Sequence, residues 1–155
     1  MHLKYSYLIL LLALLILAAP HAAGAASGTD FLSRMAEESE IKAIAVVAGV
    51  RQVSANSDGT FLQVTFKRVY ALSPYTPKLF VGGCKRMDSG WQRRSPDMIY
   101  FKPKRGQKVF VTVTTDGGAI TSYTPLNRQL DTVIREEPYR IIYSEGRAKV
   151  APSDE

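Results

Sequence analysis

The chain has 155 residues, 46% of them hydrophobic and 22% charged, with a formal net charge of +6. That length suits one domain with a real core, and the composition is too apolar for a disordered polypeptide. Its single cysteine, Cys84, excludes an internal disulfide, and the last histidine is His21, so the chain beyond it lacks the parts for Ser-His-Asp, Cys-His and most zinc chemistry.

The first segment predicts export. His2 and Lys4 open it, Tyr5 to Ala19 (YSYLILLLALLILAA) carries no charge, and Pro20 breaks the run before HAAGAASG. Ala23 and Ala25 suit a signal peptidase cutting after Ala25, with Gly24 and Ala26 as the second choice. An uncleaved anchor is the alternative, but the run falls short of the roughly 20 apolar residues that span a bilayer. No cysteine follows to carry a lipid. Residues 1–25 are thus expected to be a cleaved signal peptide, leaving a periplasmic or secreted chain with 19 Lys+Arg against 14 Asp+Glu, a net +5.

Residues 26–40 predict a lead-in and a short helix, with Thr29 or Asp30 as cap and Phe31, Leu32 and Met35 on the packed side. Ile41 to Val53 (IKAIAVVAGVRQV) predicts a strand buried on both faces or bent at Gly49. After the SANSDG turn, FLQVTFKRVY alternates cleanly: Leu62, Val64 and Phe66 face inward until the parity slips, which predicts a β-bulge near Lys67–Arg68. Ser73 to Pro77 is a loop, KLFVGGCKRM a short strand, Asp88 to Pro96 a polar loop, and MIYFKP a brief strand ending at Pro103. Gly106 marks a turn. Val109, Val111 and Val113 then alternate in a core strand, which Asp116–Gly117 returns through a type I′-like turn into AITSYT. Thr124–Pro125 predicts a cap and first turn for a helix over residues 125–136, carried by Leu126, Leu130, Val133 and Ile134. Tyr139 to Tyr143 predicts a last strand, and residues 145–155 a flexible tail. The fold class expected is mainly β with short helices: a small five- or six-stranded antiparallel OB-like barrel over residues 41–144.

The succession AIAVVAGVRQV, FLQVTFKRVYALSP, a Val-rich strand ending at Cys84, and RGQKVFVTVTTDGGAITSYTP resembles netrin-like domains. These are OB-fold-like barrels that include tissue inhibitors of metalloproteinases and bacterial relatives. The match lies in the small-residue step Val47–Gly49–Arg51, in Val64, Phe66, Val69 and Tyr70, and in Gly106 to Val113. It covers roughly Ile41 to Tyr123 and implies the barrel. The family's inhibitors hold zinc through an N-terminal Cys, and this chain begins its mature part at Ala26 or Ser27. Its lone Cys84 also lacks the family's disulfide partners. The resemblance therefore implies a fold and not a function.

For function, the acids are scattered singly or paired on helical faces, and the glycines match neither phosphate-binding nor dinucleotide patterns. No enzyme, cofactor or metal is expected. Between Lys85 and Lys108 eight cations stand against Asp88 and Asp97. Candidate partner-binding residues are Lys85, Arg86, Trp91, Arg93, Arg94, Tyr100, Lys102, Lys104 and Arg105, with Phe101 as a further aromatic. They suit a protein partner in the envelope or outside the cell, or a salt-sensitive polyanion such as anionic polysaccharide or single-stranded nucleic acid. Equally, Tyr100 and Phe101 can be half core and the lysines a solvated surface. Cys84 is either a buried thiol, the bridge of a disulfide-linked dimer, or a reactive group.

Overall fold

The computed structural model describes residues 28–152; the expected signal segment and cleavage site lie outside the described residues. Helix α1 (Gly28–Glu38) leads into β1 (Ile41–Asn56), β2 (Gly59–Ala71) and β3 (Leu79–Arg86). After the long loop 87–107 come β4 (Lys108–Val113), β5 (Ile120–Pro125), α2 (Arg128–Glu136), a 3-10 turn at Pro138–Arg140, and the hairpin β6 (Ile141–Ser144) and β7 (Arg147–Val150). The chain is mainly β. Its large sheet is antiparallel in the order β3-β2-β1-β4-β5, beside a two-stranded sheet of β6 and β7. No helix among the described residues is long and apolar enough to cross a membrane.

Period-2 patterning explains how the sheet buries two faces. Ile41, Ala43, Ala45 and Val47 of β1, Leu62, Val64 and Phe66 of β2, and Val109, Val111 and Val113 of β4 share one core with Phe80, Cys84 and Phe101. Phe66 stacks on Phe80 at 5.1 Å between ring centres. Ile44 and Phe110 point the opposite way, into a second core with Leu130 and Ile134 of α2 and Ala148 of β7. The first half of β1 is buried as expected; the register shifts between Val47 and Gly49, and past Gly49 the strand runs out into solvent.

Along that strand the register shifts at Ile44/Ala45, where β2 carries Val69 as its extra residue, one position beyond the expected bulge. Val69 turns outward as a result and is 47% exposed. The outer strand β3 meets the turn just before β5 at one isolated bridge. Gly83 forms an isolated parallel bridge with Ala119, and its N–H donates to Gly118 O at 2.8 Å. Gly82 permits this approach, since a Cβ there would lie 2.6 Å from Ile120 Cγ1, while Gly83 leaves room for the Phe61 ring of β2, whose Cζ would lie 2.9 Å from a Cβ.

Several expectations need correction. Residues 147–150 of the expected flexible tail are β7, paired with β6 from Ser144↔Arg147 to Ile141↔Val150, with Ala148 buried. Their turn holds Glu145 at φ 53° and Gly146 at φ 74°, the positive pair of a type I′ hairpin. At the expected type I′ site, by contrast, only Gly117 has positive φ, and the Asp116 carboxylate accepts from the Val81 N–H at 2.8 Å. The α2 cap is Asn127, whose side chain accepts from Leu130 N–H at 2.7 Å, and β5 runs through Thr124 and Pro125. MIYFKP is not a strand: Tyr100 makes one parallel bridge to Lys85. Phe31 of α1 is 58% exposed, whereas Leu32 and Met35 are half-buried beside Cys84 and Phe101, and Ala36 is fully buried.

Candidate binding face

Three pieces of chain converge at one end of the sheet: the β1–β2 turn at Ser57–Asp58, the end of β3, and the loop 87–107. Their junction is built by side chains of Gln92 and Tyr100. Gln92 is 6% exposed. Its carbonyl accepts from the N–H groups of Asp88 and Ser89, at 2.8 and 3.3 Å. Its amide donates to Asn56 O at 3.2 Å and to the Thr60 hydroxyl at 3.1 Å. The Tyr100 hydroxyl donates to Asp58 O at 2.6 Å and accepts from Ser95 N–H at 2.9 Å. Gly59 leaves room for that ring, since it sits at φ 145° and a Cβ there would lie 3.0 Å from Tyr100 Cε1. A buried polar group must find such partners or cost free energy, so the loop is held in one shape.

The candidate cations divide on this frame. Lys85 Nζ donates to Asp58 at 2.7 Å, and Arg86 grips Asp88 through Nε at 2.5 Å and Nη2 at 3.1 Å. These hydrogen bonds hold the Asp58 and Asp88 carboxyls below the usual carboxylate range and raise the Arg86 guanidinium. The Arg94 guanidinium lies over the Tyr100 ring, 5.2 Å from its centre. Arg93, Lys102, Lys104 and Arg105 are exposed. Among the described residues, the ion pairs of this region are Lys85–Asp58 and Arg86–Asp88 alone.

One cation from each basic segment lines a shared cleft. Arg86 from β3 and Arg105 from the turn before β4 line one cleft of about 400 Å³, walled by Gly49, Val50, Gln52, Leu62 and Pro103. That turn is anchored to β1 by Val47 N–H to Gln107 O at 2.9 Å and Gly106 N–H to Val47 O at 2.8 Å. Lys102 and Lys104 lie on the same turn, outside the cleft's walls. Of the three candidate aromatics, only Trp91 is open, at 60% exposure; Phe101 is core at 8%, and Tyr100 is pinned at its hydroxyl.

No family model, curated protein or solved structure matches the chain.

Cys84 belongs to the core rather than the face. It is 7% exposed, and burial pushes its thiol up to about 12. A bridge to a second chain would require the core to open around it, and a neutral buried thiol is a poor nucleophile. Among the described residues, no group of three or more His, Cys, Asp or Glu gathers as a metal site would require.

Sequence reasoning missed Gln92, which stands in a polar loop with nothing in the local pattern to separate it from its neighbours. The cleft walls Gly49, Val50, Gln52 and Pro103 were missed as well, because they meet only through the sheet's register.

Proposed function

We propose that this is an exported, non-catalytic binding module that engages an acidic protein partner through the face carrying Arg86, Trp91, Arg93, Arg94 and Arg105. The observation that carries the reading is the shared cleft: Arg86 and Arg105 come from separate segments, and the fold sets them around one concave surface. Two guanidiniums so placed suit an acidic partner: Arg105 is exposed to meet a carboxylate in bidentate geometry, and Arg86, held by Asp88, adds its charge beside it. The rigid loop beneath them lowers the ordering cost of binding.

We further propose an OB-like closure. β1 pairs with both β2 and β4, β2 with β3, and β4 with β5, while the Gly83–Ala119 bridge joins β3 to the residue just before β5. That circuit suits a five-stranded, partly open barrel, and it is compatible with the netrin-like resemblance of residues 41–123. Any shared activity would need its own evidence, because function lives in sites and not in folds.

A protein partner is favoured over a polyanion by the aromatics. Binding single strands without sequence preference relies on successive stacking rings, and of the candidate aromatics Trp91, Tyr100 and Phe101 only Trp91 is open. The test is capture from the source's envelope or extracellular fraction on the wild-type chain and on an Arg86→Glu/Arg105→Glu double variant. The expected result is one stoichiometric protein that the variant loses. A partner held equally by both overturns the reading. So does a polysaccharide or nucleic acid whose binding falls steeply with salt as counterions are retaken.

A further inference from the structure

β1 is paired on both sides only to Val46, which faces Lys108 at the start of β4. Gln107 and Gly106 take the bonds of Val47, and the chain before them turns away through Arg105. β1 nevertheless continues to Asn56, with β2 along one side. Among the described residues, no strand lies along the other side of Gly49–Ala55. The remaining borders of the large sheet are covered: β3 receives Phe101 N–H at Lys85 O and bonds Gly118 through Gly83, and Tyr123 of β5 donates to Gly146 O at 2.9 Å.

An open strand turns unpaired N–H and C=O groups outward and invites another chain, so proteins defend such edges with proline, charge or bulges. Gly49 to Asn56 holds no proline and a single cation, Arg51, which donates to the Gln63 side chain. Bulges are present, with register shifts at Val47/Gly49 and Gln52/Ser54. They bracket an unbroken run of four residues, Gly49–Gln52 against Thr65–Leu62. Gly49, Val50 and Gln52 of that run are walls of the cleft that holds Arg86 and Arg105. The cleft crosses the sheet's face from Arg86 of β3 over Leu62 of β2 to Gln52 and Val50 of β1, so its β1 wall is the strand whose other side is open.

We propose that an extended acidic segment of the partner adds as a strand to β1 along Gly49–Gln52, with a carboxylate side chain between Arg86 and Arg105. This rests on the acidic-partner reading and specifies how the partner is held: backbone bonds supply affinity and the cleft supplies side-chain choice. A second copy suits the berth poorly, because the flanking bulges limit it to four residues and a like strand would bring its own Arg51.

The probe is a terminally blocked octapeptide alternating Val and Glu, with two controls: the Val/Lys peptide and a Val/Glu peptide N-methylated at alternate backbone positions. Titrations follow backbone amide shifts and hydrogen exchange in the full mature chain. The expected result is saturable binding with slowed exchange within Gly49–Gln52. N-methylation and Arg105→Glu each weaken it by about tenfold or more, and the Val/Lys peptide does not bind. N-methylation alters only the ligand, so a folding defect cannot mimic its effect.

If acidic peptide binds equally with or without N-methyl groups, or leaves Gly49–Gln52 unprotected, strand addition is overturned while the basic-face reading stands. If it does not bind and a protein is still lost by the Arg86→Glu/Arg105→Glu variant, strand addition alone fails; if capture is also charge-independent, both fail. Protection of Gly49–Gln52 without peptide that tracks a dimer in sedimentation overturns the proposal in favour of self-pairing.

Discussion

The side-chain amide of Gln92 meets the Thr60 hydroxyl at 3.1 Å, joining the middle of the long loop to the start of β2. Through the other bonds of Gln92 the same contact ties Asn56, Asp88 and Ser89 into one junction. Replacing Gln92 by Ala removes these bonds and takes a partner from the buried Thr60 hydroxyl. Gln92→Ala is expected to cost about 1–3 kcal/mol, read from denaturant midpoints, and to expose the segment around Arg93 to limited proteolysis. Trp91→Ala, next to it but open to solvent, should stay within about 0.5 kcal/mol of wild type.

The carboxylates of Asp58 and Asp88 restrain the face's positive charge. Asp88→Asn frees Arg86, and Asp58→Asn frees Lys85 while leaving the backbone carbonyl that receives Tyr100. Both variants should bind the Val/Glu peptide more tightly at low salt, and the gain should shrink as salt screens it. Weaker binding by Asp88→Asn would show that the pair positions Arg86 rather than masking it.

Cys84 makes stability sensitive to alkali. Its thiol ordinarily titrates near 9.0 and is pushed up to about 12 by burial, so the folded chain resists a proton loss that the unfolded chain allows. The stability this gives is whole below pH 9 and is lost as pH rises toward 12. Burial raises Tyr123 and Tyr143 in the same sense, while it lowers Lys42, whose contribution runs oppositely as pH approaches 10.5. Chemical denaturation from pH 8 to 11 should therefore show a steeper decline for wild type than for Cys84→Ala. Alkylation of Cys84 at pH 8 should be slow in the native chain and fast in denaturant.

A chain of hydroxyls seats α1. Ser39 Oγ and Thr121 Oγ1 lie 2.8 Å apart, Thr121 and Thr112 2.7 Å, and Thr112 and Ser122 Oγ 2.6 Å, all buried. Ser39 also donates to Met35 O, the last turn of the helix. Thr112→Val removes the middle member and is expected to cost about 1–3 kcal/mol by thermal denaturation. Faster amide exchange in α1 than in β1 of that variant would show that the hydroxyls position the helix; uniform loosening would refute that role.

Where one face of a strand is buried, the residues announce it: Leu62, Val64 and Phe66 alternate because the sheet's pleat alternates. Other elements were illegible for reasons that lie far along the chain. Thr124 has the chemistry of a cap, but its hydroxyl accepts from Ala148 N–H at 2.8 Å, so Asn127 caps α2 instead. Arg147 and Lys149 make β7 look like solvated tail, although their outward placement is what lets Ala148 and Val150 pack inward. At the face, the density of cations was readable. Their neutralisation by Asp58, and the open side of β1, depend on which strands become neighbours and where pairing stops.

Ile44 and Phe110 lie under a lid whose last part is Ala148 and Val150. During synthesis, then, nothing ending before Val150 can close that second core, however early β1 and β4 emerge. The late hairpin acts as a clasp, and the second core stays open until it has been made.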